Sequence, residues 1–592
     1  MADDVTHYDA VEAYCDQLSY LPGQGVGLHV WCATDSYDVD VRRWTAAHGG
    51  AGVTEDAAAG PTADMGEGIG IGIGIGAGIG AGIGAGEGAG EGAGEGEGEG
   101  AGEGEGEGAG LVGSAGVDGG AADGVVWSRT GLVGVAHHTP ADADSNGCGW
   151  PVALTIPVGD EWVSGMYLVT LRAHGAQPDR ATGYAMFVVR ASQDRRNSGN
   201  PLLVIATNTY NAYNNWGGRS LYTGGHQVSF DRPFGRGMLS RERTERDDRK
   251  SRPTRPGEEP DVDGEVYQAY RWANGYPGYI SSAGWFTYER RFVEWAEAKG
   301  IALDYAVSSD LERDPSVVDG YRLVLGVGHD EYWSAAQRDT VERHVADGGN
   351  YASLSGNTMF WQVRLTDEGR TMTAHKYNAH RTDPVLGTDR EGEMTGMWCD
   401  PVIGRPEWRF LGAGSAYGLY SRFGQATPRA SGGFTVYRDN HWLFEGTGLR
   451  YGDQLGSSFG AVGYETVGVR LGLDEFGLPV AAQTDAAPHT EVVAFAPASS
   501  LGEGEYPASV AASSDQCDLE FVAERLYGDI SADSIARVRH GNAVMLTCKP
   551  AGETGGTVAT IGTTDWVYAL DDPAVSQVTA NVIARLNQQT DT

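Results

Sequence analysis

The stretch YRLVLGVGHDEYWSAAQRDTVERHVADGGNYASLSGN, residues 321–357, decides the fold class of this chain. Its first apolar run ends in GHDEYW and predicts a strand followed by a loop, and NYASLSGN predicts a second strand. Between them, SAAQRDTVERHVADGG has the pattern of a helix that stops at glycine. A strand, a helix and a second strand in this order predict a parallel α/β sheet.

The residues before this stretch continue the alternation of strands and helices. PLLVIATNTY (201–210) predicts a strand that leads into a loop, FVEWAEAKG (292–300) an amphipathic helix, and IALDYAVSS (301–309) another strand. The predicted strands are followed by the polar clusters NTYNAYN, SSDLERD, GHDEYW and SGNTMFW. Because open α/β sheets bind ligands beyond the carboxyl ends of their strands, we expect a site there.

The first third of the chain has a different pattern. Short alternating runs such as GVGLHVWCAT, YDVDVRRWT, WPVALTIPV and GMYLVTLRA predict a β-sandwich domain over residues 1–192. A low-complexity insertion, rich in glycine, interrupts it at about residues 54–118; we interpret this tract as solvated and without chemistry, and not as a membrane helix. The α/β domain is predicted to span residues 197–592, with a strand-rich C-terminal part.

Composition limits the function. The chain has 592 residues and a formal charge of −37, which argues against a nucleic-acid partner. An acidic, lysine-poor chain is typical of a high-salt cytoplasm or of a GC-rich genome. The start, MADDVTHYDAVEAY, has no signal-peptide pattern, so we expect a cytoplasmic protein without a membrane partner. No CxxC pair is present; Cys15 with Cys32, or Cys517 with Cys548, could pair only in an exported protein.

Several polar residues at the predicted strand ends could carry chemistry. His329, Asp330 and Glu331 are costly to bury unless they pair or bind a metal, although the two acids could equally cap the helix that begins near Ser334. Asn357 could donate to a substrate oxygen or tie two loops together.

The tyrosines after the first α/β strand allow two interpretations. Tyr210, Tyr213 and Tyr222 could be half-buried residues with bonded hydroxyls, the commoner case. Two phenolates and a carboxylate could instead hold Fe(III), because phenolate is a hard anionic donor. Other chemistries find less support: HDEYW has no cysteine at the amidotransferase nucleophile position, and HExxH, P-loop and dinucleotide motifs are absent from the sequence.

An ordered set of motifs resembles a known family. NTYNAYNNWGGRSLY, FDRPF, GHDEYW, GGNYASLSGNTMFW, GYE (463–465) and GTTDW (562–566) are similar to the large subunit of N,N-dimethylformamidase and its relatives, over roughly residues 200–590. The resemblance implies a glutamine-amidotransferase-like domain, with a flavodoxin-like parallel sheet, plus a β-sandwich domain. It also implies a mononuclear Fe3+ held by two tyrosines and a glutamate, and amide hydrolysis; we therefore expect a hydrolase of a small amide or another C–N bond.

The resemblance assigns roles residue by residue. It implies metal ligands at Tyr210, Tyr222 and Glu331, and catalytic roles for His329, Asn357 and Glu465, the last as general base. Tyr213 competes with Tyr210, and Tyr270 and Tyr288 are the alternatives to Tyr222. The short loop between the tyrosines makes dimethylformamide itself an unexpected substrate. The family also implies a small partner subunit, with a homo-oligomer as the alternative, and the competing hypothesis is a non-catalytic ligand- or glycan-binding protein.

Overall fold

The computed structural model describes residues 7–45, 124–241, 275–423, 427–428, 430–506 and 517–588, without the side chain of Asn197. The predicted insertion at 54–118 lies outside the described residues, and so does Tyr270, one alternative metal ligand. The residues that the structure describes form one compact unit.

The N-terminal region consists of two sheets that share a core. Its strands are β1 (Val11–Cys15), β2 (Ser19–Tyr20), β3 (Gly25–Cys32), β4 (Ser36–Arg43), β5 (Val125–Val133), β6 (Val152–Pro157), β7 (Gly165–Ala173) and β8 (Thr182–Val189). They form the sheets β1-β3-β6 and β2-β8-β7-β4-β5. One apolar cluster takes side chains from both, among them Leu28 and Ile156 from the first and Val39, Val169 and Phe187 from the second.

The other face of the larger sheet packs against the rest of the molecule. Met166 and Leu168 of β7 and Met186 and Val188 of β8 belong to the same apolar cluster as Leu203. Alternate side chains of one strand point to opposite faces, so these strands serve two cores at once. The N-terminal region therefore supports the sheet that carries the polar strand ends.

The second region is built around one large sheet, with two smaller sheets beside it. The strands of the whole region are β9 (Leu202–Ile205), β10 (Gln227–Ser229), β11 (Asp304–Val307), β12 (Leu323–His329), β13 (Tyr332–Ser334), β14 (Asn350–Gly356), β15 (Trp361–Thr366), β16 (Thr371–Thr373), β17 (Gly414–Ser421), β18 (Phe434–Val436), β19 (Gln454–Leu455), β20 (Tyr464–Gly468), β21 (Leu471–Leu473), β22 (Pro479–Ala481), β23 (Glu491–Ser499), β24 (His540–Cys548) and β25 (Val558–Thr560).

The large sheet has a parallel half and an antiparallel half. Its order is β11-β9-β12-β14-β25-β24-β23-β17-β20, and β18 pairs with β23 and β19 beside this path. The pairs from β11 to β25 are parallel, and those from β25 to β20 are antiparallel. A smaller sheet, β10-β16-β15-β13, and the pair β21-β22 complete the strands.

The helices connect and cover these strands. They are α1 (Ala143–Asn146), α2 (Thr207–Tyr213), α3 (Glu289–Ala298), α4 (Asp310–Arg313), α5 (Ala335–Ala346), α6 (Ala379–Thr382), α7 (Asp518–Tyr527), α8 (Ala532–Arg539) and α9 (Pro573–Leu586). Ser334 caps α5 and forms a capping box with Gln337, so neither Asp330 nor Glu331 is its N-cap. Those two acids are thus left for other partners.

The segment NTYNAYN differs from the prediction, which placed a loop there. Residues Thr207–Tyr213 form α2, and all seven are buried. A helix of this length is marginal alone, so tertiary contacts hold it: the side-chain amide of Asn208 donates to Tyr332 O at 3.2 Å and to Gln337 Oε1 at 3.1 Å. The sequence lacks the apolar period of a helix because every face of α2 is covered.

A close approach of two strands joins the halves of the large sheet. A Cβ atom on Gly356, at the end of β14, would lie 2.2 Å from the carbonyl oxygen of Glu465 and 2.4 Å from the amide nitrogen of Thr564. Only glycine fits this contact. The next residue, Asn357, has a φ of 49°, a conformation that asparagine tolerates well. The parallel half therefore meets β20 of the antiparallel half at the polar strand ends.

Two expectations from the sequence concern the pairing of cysteines and the presence of a membrane helix. All six cysteines, which lie in the described part of the chain, are free thiols; they are Cys15, Cys32, Cys148, Cys399, Cys517 and Cys548. Among the described residues, every helix is too short or too polar to cross a bilayer.

Candidate active site

Glu331 is the centre of the polar cluster at the strand ends. Its carboxylate is 2 % exposed and accepts hydrogen bonds from the hydroxyls of Tyr213 and Tyr222, each at 2.9 Å. The indole Nε1 of Trp361 donates to Oε1 at 2.8 Å. Burial alone would raise the pKa of Glu331, but hydrogen bonding and the charge of His329 lower it below its usual range. Glu331 is therefore a buried carboxylate held in its charged form.

His329 bridges Glu331 to a second carboxylate. Its Nδ1 donates to the carbonyl oxygen of Ser282 at 2.7 Å, which leaves Nε2 facing the acids. Nε2 lies 2.7 Å from Glu465 Oε2 and 3.3 Å from Glu331 Oε2. Burial opposes the charged ring, but Tyr464 and the two carboxylates outweigh it and raise the pKa of His329 well above its ordinary value. The imidazole is thus fixed in orientation and in charge.

Asn357 completes the group from β14. Its Nδ2 donates to Glu465 Oε2 at 3.2 Å, so the amide ties the end of β14 to β20. Glu465 Oε2 therefore contacts both His329 Nε2 and Asn357 Nδ2. An ion-pair contact and a hydrogen bond from the parallel half of the sheet position this oxygen.

The cluster offers ligand atoms for a cation. Among the described residues, His329, Glu331 and Glu465 form a group whose ligand atoms all lie within 4.8 Å of one another. The phenol oxygens of Tyr213 and Tyr222 add two hard donors at Glu331, and their rings stack with centroids 4.2 Å apart. Oxygen donors of this kind, with one imidazole, suit a hard cation better than a soft metal.

The structure brings together five of the six residues predicted for the site. Tyr222, His329, Glu331, Asn357 and Glu465 all meet in it.

Tyr210 is the exception. Its side chain interacts with Glu289, and Tyr213 occupies the position at Glu331 that was predicted for Tyr210. Because the segment is a helix and not a loop, two tyrosines three residues apart reach different carboxylates. Tyr288, an alternative ligand, packs with its ring centroid 6.3 Å from that of His329.

Three further residues reach the site without having been predicted. Lys376, in a 3₁₀ turn, is buried with Nζ 3.2 Å from the ring centroid of Tyr222, and burial lowers its pKa to about 8. Tyr332 donates its hydroxyl to that of Tyr222 at 2.8 Å, and Trp361 binds Glu331. The last two stand in the motifs HDEYW and SGNTMFW, which could have indicated them; AHKYN carries no such signal.

A pocket opens onto this cluster. Glu331, Asn357 and Glu465 form part of its wall. Apolar side chains, Phe360, Leu419 and Phe423, line another part. A pocket with a few convergent polar groups and an apolar wall is the usual form of a small-molecule site.

Comparisons with known proteins give one family. A family model described as "N,N-dimethylformamidase beta subunit-like, C-terminal" matches residues 112–581. The N,N-dimethylformamidase beta subunit of Alcaligenes sp is 32% identical over 77 residues, which are 13% of this chain and 10% of that protein. The beta subunit of Paracoccus aminophilus is 34% identical over 77 residues, again 13% and 10%. The matched segment thus spans about a tenth of the length of each curated relative.

Proposed function

The chain belongs to the N,N-dimethylformamidase beta subunit-like family, and from this premise we propose that it is an iron-dependent hydrolase of small amides. One observation carries the proposal: the hydroxyls of Tyr213 and Tyr222 converge on Glu331, while His329 and Glu465 pair beside it. A purely structural cluster would not need two buried carboxyl groups bridged by one imidazole at the wall of a pocket.

The donor set fits a trivalent iron. Burial, and next the charge of Glu331, raise the pKa of Tyr213 and Tyr222 well above that of a free phenol. Only a strongly charged cation would ionise both phenols in such a site. Two phenolates and the Glu331 carboxylate would then balance three positive charges. Iron held there would supply Lewis-acid polarisation of the amide carbonyl.

The remaining residues perform the proton transfers of hydrolysis. Glu465 takes a proton from the attacking water and returns it to the nitrogen of the leaving amine as the C–N bond breaks. His329, fixed by Ser282, orients Glu465 and presents positive charge to the developing oxyanion. Asn357 holds the same carboxylate oxygen in place. The products are a carboxylic acid and an amine.

The fold class enters the same proposal. We propose a glutamine-amidotransferase-like parallel sheet, joined to an N-terminal β-sandwich. The parallel order β11-β9-β12-β14-β25 and the helix α5 between β12 and β14 support the first part. The two sheets that share the N-terminal core support the second.

The substrate and the assembly are also proposals. The curated relatives carry the name N,N-dimethylformamidase and are called beta subunits. We propose a related small amide as substrate, and a small partner subunit or a second copy of the chain in the assembly. A non-catalytic binding protein is the alternative that the experiment must exclude.

The test combines metal analysis, absorption and hydrolysis. The purified full chain, loaded with ferric iron, should hold about one iron per chain, absorb visible light as ferric tyrosinate does, and release amine from members of a panel of small amides. Glu331→Gln should lose both the iron and the activity. A folded protein that binds no iron and hydrolyses none of the amides would overturn the proposal.

A further inference from the structure

A third buried carboxyl group, besides Glu331 and Glu465, lines the pocket. Asp518, the first residue of α7, is 1 % exposed and lines the same pocket as Glu331 and Glu465. The mechanism above gives it no role. Like Glu331 and Glu465, however, it is a buried acidic residue.

Three tyrosine hydroxyls surround the Asp518 carboxylate. Tyr377 donates to Oδ1 at 2.7 Å, and Tyr420 and Tyr506 donate to Oδ2 at 2.6 and 2.7 Å. Burial, and next the charge of Asp518, raise the pKa of Tyr377 and Tyr420 well above that of a free phenol. Both phenols therefore stay protonated, and their hydroxyls donate to Asp518.

The number of hydrogen bonds that Asp518 already accepts shows which groups it can still bind. A carboxylate has about four acceptor positions, two on each oxygen. Oδ2 of Asp518 receives two hydroxyls and Oδ1 receives one, so Oδ1 keeps an acceptor position. The oxygens of Tyr377 and Tyr420, which also line the pocket, keep lone pairs. Asp518, Tyr377 and Tyr420 thus offer hydrogen-bond acceptors to a ligand that donates.

The charge favours the same kind of ligand. In the part of the chain that the structure describes, Asp518 forms no salt bridge within 4.0 Å. Lys376 acts on it at longer range, but its ammonium group lies over the ring of Tyr222. A buried carboxylate without a close cation is costly, and a cationic ligand would offset that cost.

We propose that Asp518, with Tyr377 and Tyr420, binds an ammonium or other N–H donor at the end of the substrate remote from the scissile amide. The inference rests on the proposed function and names its substrate class: short aliphatic amides that carry an amine. The apolar side chains of Phe360, Leu419 and Phe423 in the same pocket suit the alkyl chain between the two ends. Dimethylformamide has no N–H group and could not use this subsite.

The test compares two amides of equal length on the iron-loaded chain. In 4-aminobutanamide an ammonium group replaces the terminal methyl group of pentanamide. The wild type should prefer 4-aminobutanamide in kcat/KM by about tenfold or more, the effect of one hydrogen bond to a charged group. In Asp518→Asn, which keeps the size but not the charge, the ratio of the two kcat/KM values should fall by about tenfold.

A matched control separates this role from general packing. Asp304 is also buried and accepts the hydroxyl of Tyr321 at 3.0 Å, but it does not line this pocket. Asp304→Asn should leave the ratio as in the wild type. Equal or reversed preference in the wild type would overturn the inference, and that comparison needs no variant, so it decides the matter even where Asp518→Asn does not fold.

A binding measurement distinguishes failure of this inference from failure of the proposed function. Calorimetric titration with n-butylammonium should show binding to the wild type that weakens about tenfold in Asp518→Asn and not in Asp304→Asn. This result would support the subsite even if neither amide were hydrolysed, which would count against the amidase alone. Hydrolysis of both amides without n-butylammonium binding would overturn the subsite alone.

Discussion

Two tyrosines of one short helix, α2, contact glutamates that differ in charge state. Tyr213 of α2 donates to Glu331, and Tyr210, three residues earlier, interacts with Glu289. Both carboxyl groups are almost completely buried, at 2 % and 1 % exposure.

The charge state of the two glutamates nevertheless differs. Hydrogen bonding and the charge of His329 hold the pKa of Glu331 below its usual range, whereas burial raises the pKa of Glu289 to about 8. Burial alone neutralises a carboxyl group, and only its partners keep it charged. Of the two pairs, therefore, only the Glu331 pair can serve as an anionic ligand.

The largest expected effect separates the two glutamates. Glu331→Gln should abolish amide hydrolysis, because it removes the carboxylate on which Tyr213, Tyr222 and Trp361 converge. Glu289→Gln should keep the activity at neutral pH, because glutamine mimics the protonated acid. Measurement of kcat/KM and iron content for both variants checks this, and equal losses would remove the distinction between the pairs.

The second effect concerns Glu465, on the other side of His329. Glu465→Gln should lower kcat by about 10²–10⁴-fold, the usual contribution of a general base. The iron content and the visible absorption should stay, because Tyr213, Tyr222 and Glu331 are intact. Single-turnover kinetics with an absorption spectrum test this. Loss of iron together with activity would make Glu465 a ligand, as its place near His329 and Glu331 allows.

A third comparison uses the tyrosines themselves. Tyr213→Phe should bleach the ferric-tyrosinate absorption in large part and lower kcat/KM by about tenfold or more, as expected for the loss of a bond to a charged group. Tyr210→Phe, a matched change on the same helix, should leave the spectrum and the activity nearly as in the wild type. The reverse result would identify Tyr210 as the metal ligand and would contradict the position of Tyr213 at Glu331.

The smallest effect is a pH dependence of stability at Glu289. Its folded pKa of about 8 exceeds the ordinary value of 4.5, so the folded state keeps a proton that the unfolded state releases. Stability from this group is therefore complete below about pH 4.5 and falls as the pH rises toward about 8. Glu289→Gln lacks this loss.

The melting temperature measures that difference. The variant should gain about 2–4 °C on the wild type between pH 5 and pH 8. Glu331→Gln removes an acid whose pKa is lowered and not raised, so its melting temperature should show no such gain on the wild type. A constant difference between Glu289→Gln and the wild type over this range would show that Glu289 is charged in the folded protein.

Much of the site could be predicted from the sequence, for physical reasons that are local. In residues 321–357 the apolar runs, the helix pattern and the glycine stop act over a few residues, and β12, α5 and β14 form where they were expected. His329 and Asn357 follow from the ends of those strands. Ser334, and neither Asp330 nor Glu331, caps α5. The sequence left this open because the cap depends on the exact residue at which the helix begins.

Other features depend on contacts between distant residues. The segment 207–213 is a helix because buried partners more than a hundred residues away hold it, and this choice moves Tyr210 away from Glu331. Lys376 and Asp518 reach the pocket through the packing of segments whose sequences carry no signal of it.

The sequence by itself determined the alternation of strands and helices, the polar strand ends and the identity of Glu331, His329, Asn357 and Glu465 as candidates. Local periodicity and residue chemistry suffice for all of these except Glu465, which only the resemblance to the family indicated. The tertiary structure decided which tyrosine faces Glu331, which glutamate is charged, and which further residues line the pocket. Those outcomes depend on distances and desolvation, which arise only when segments far apart in the chain are packed together.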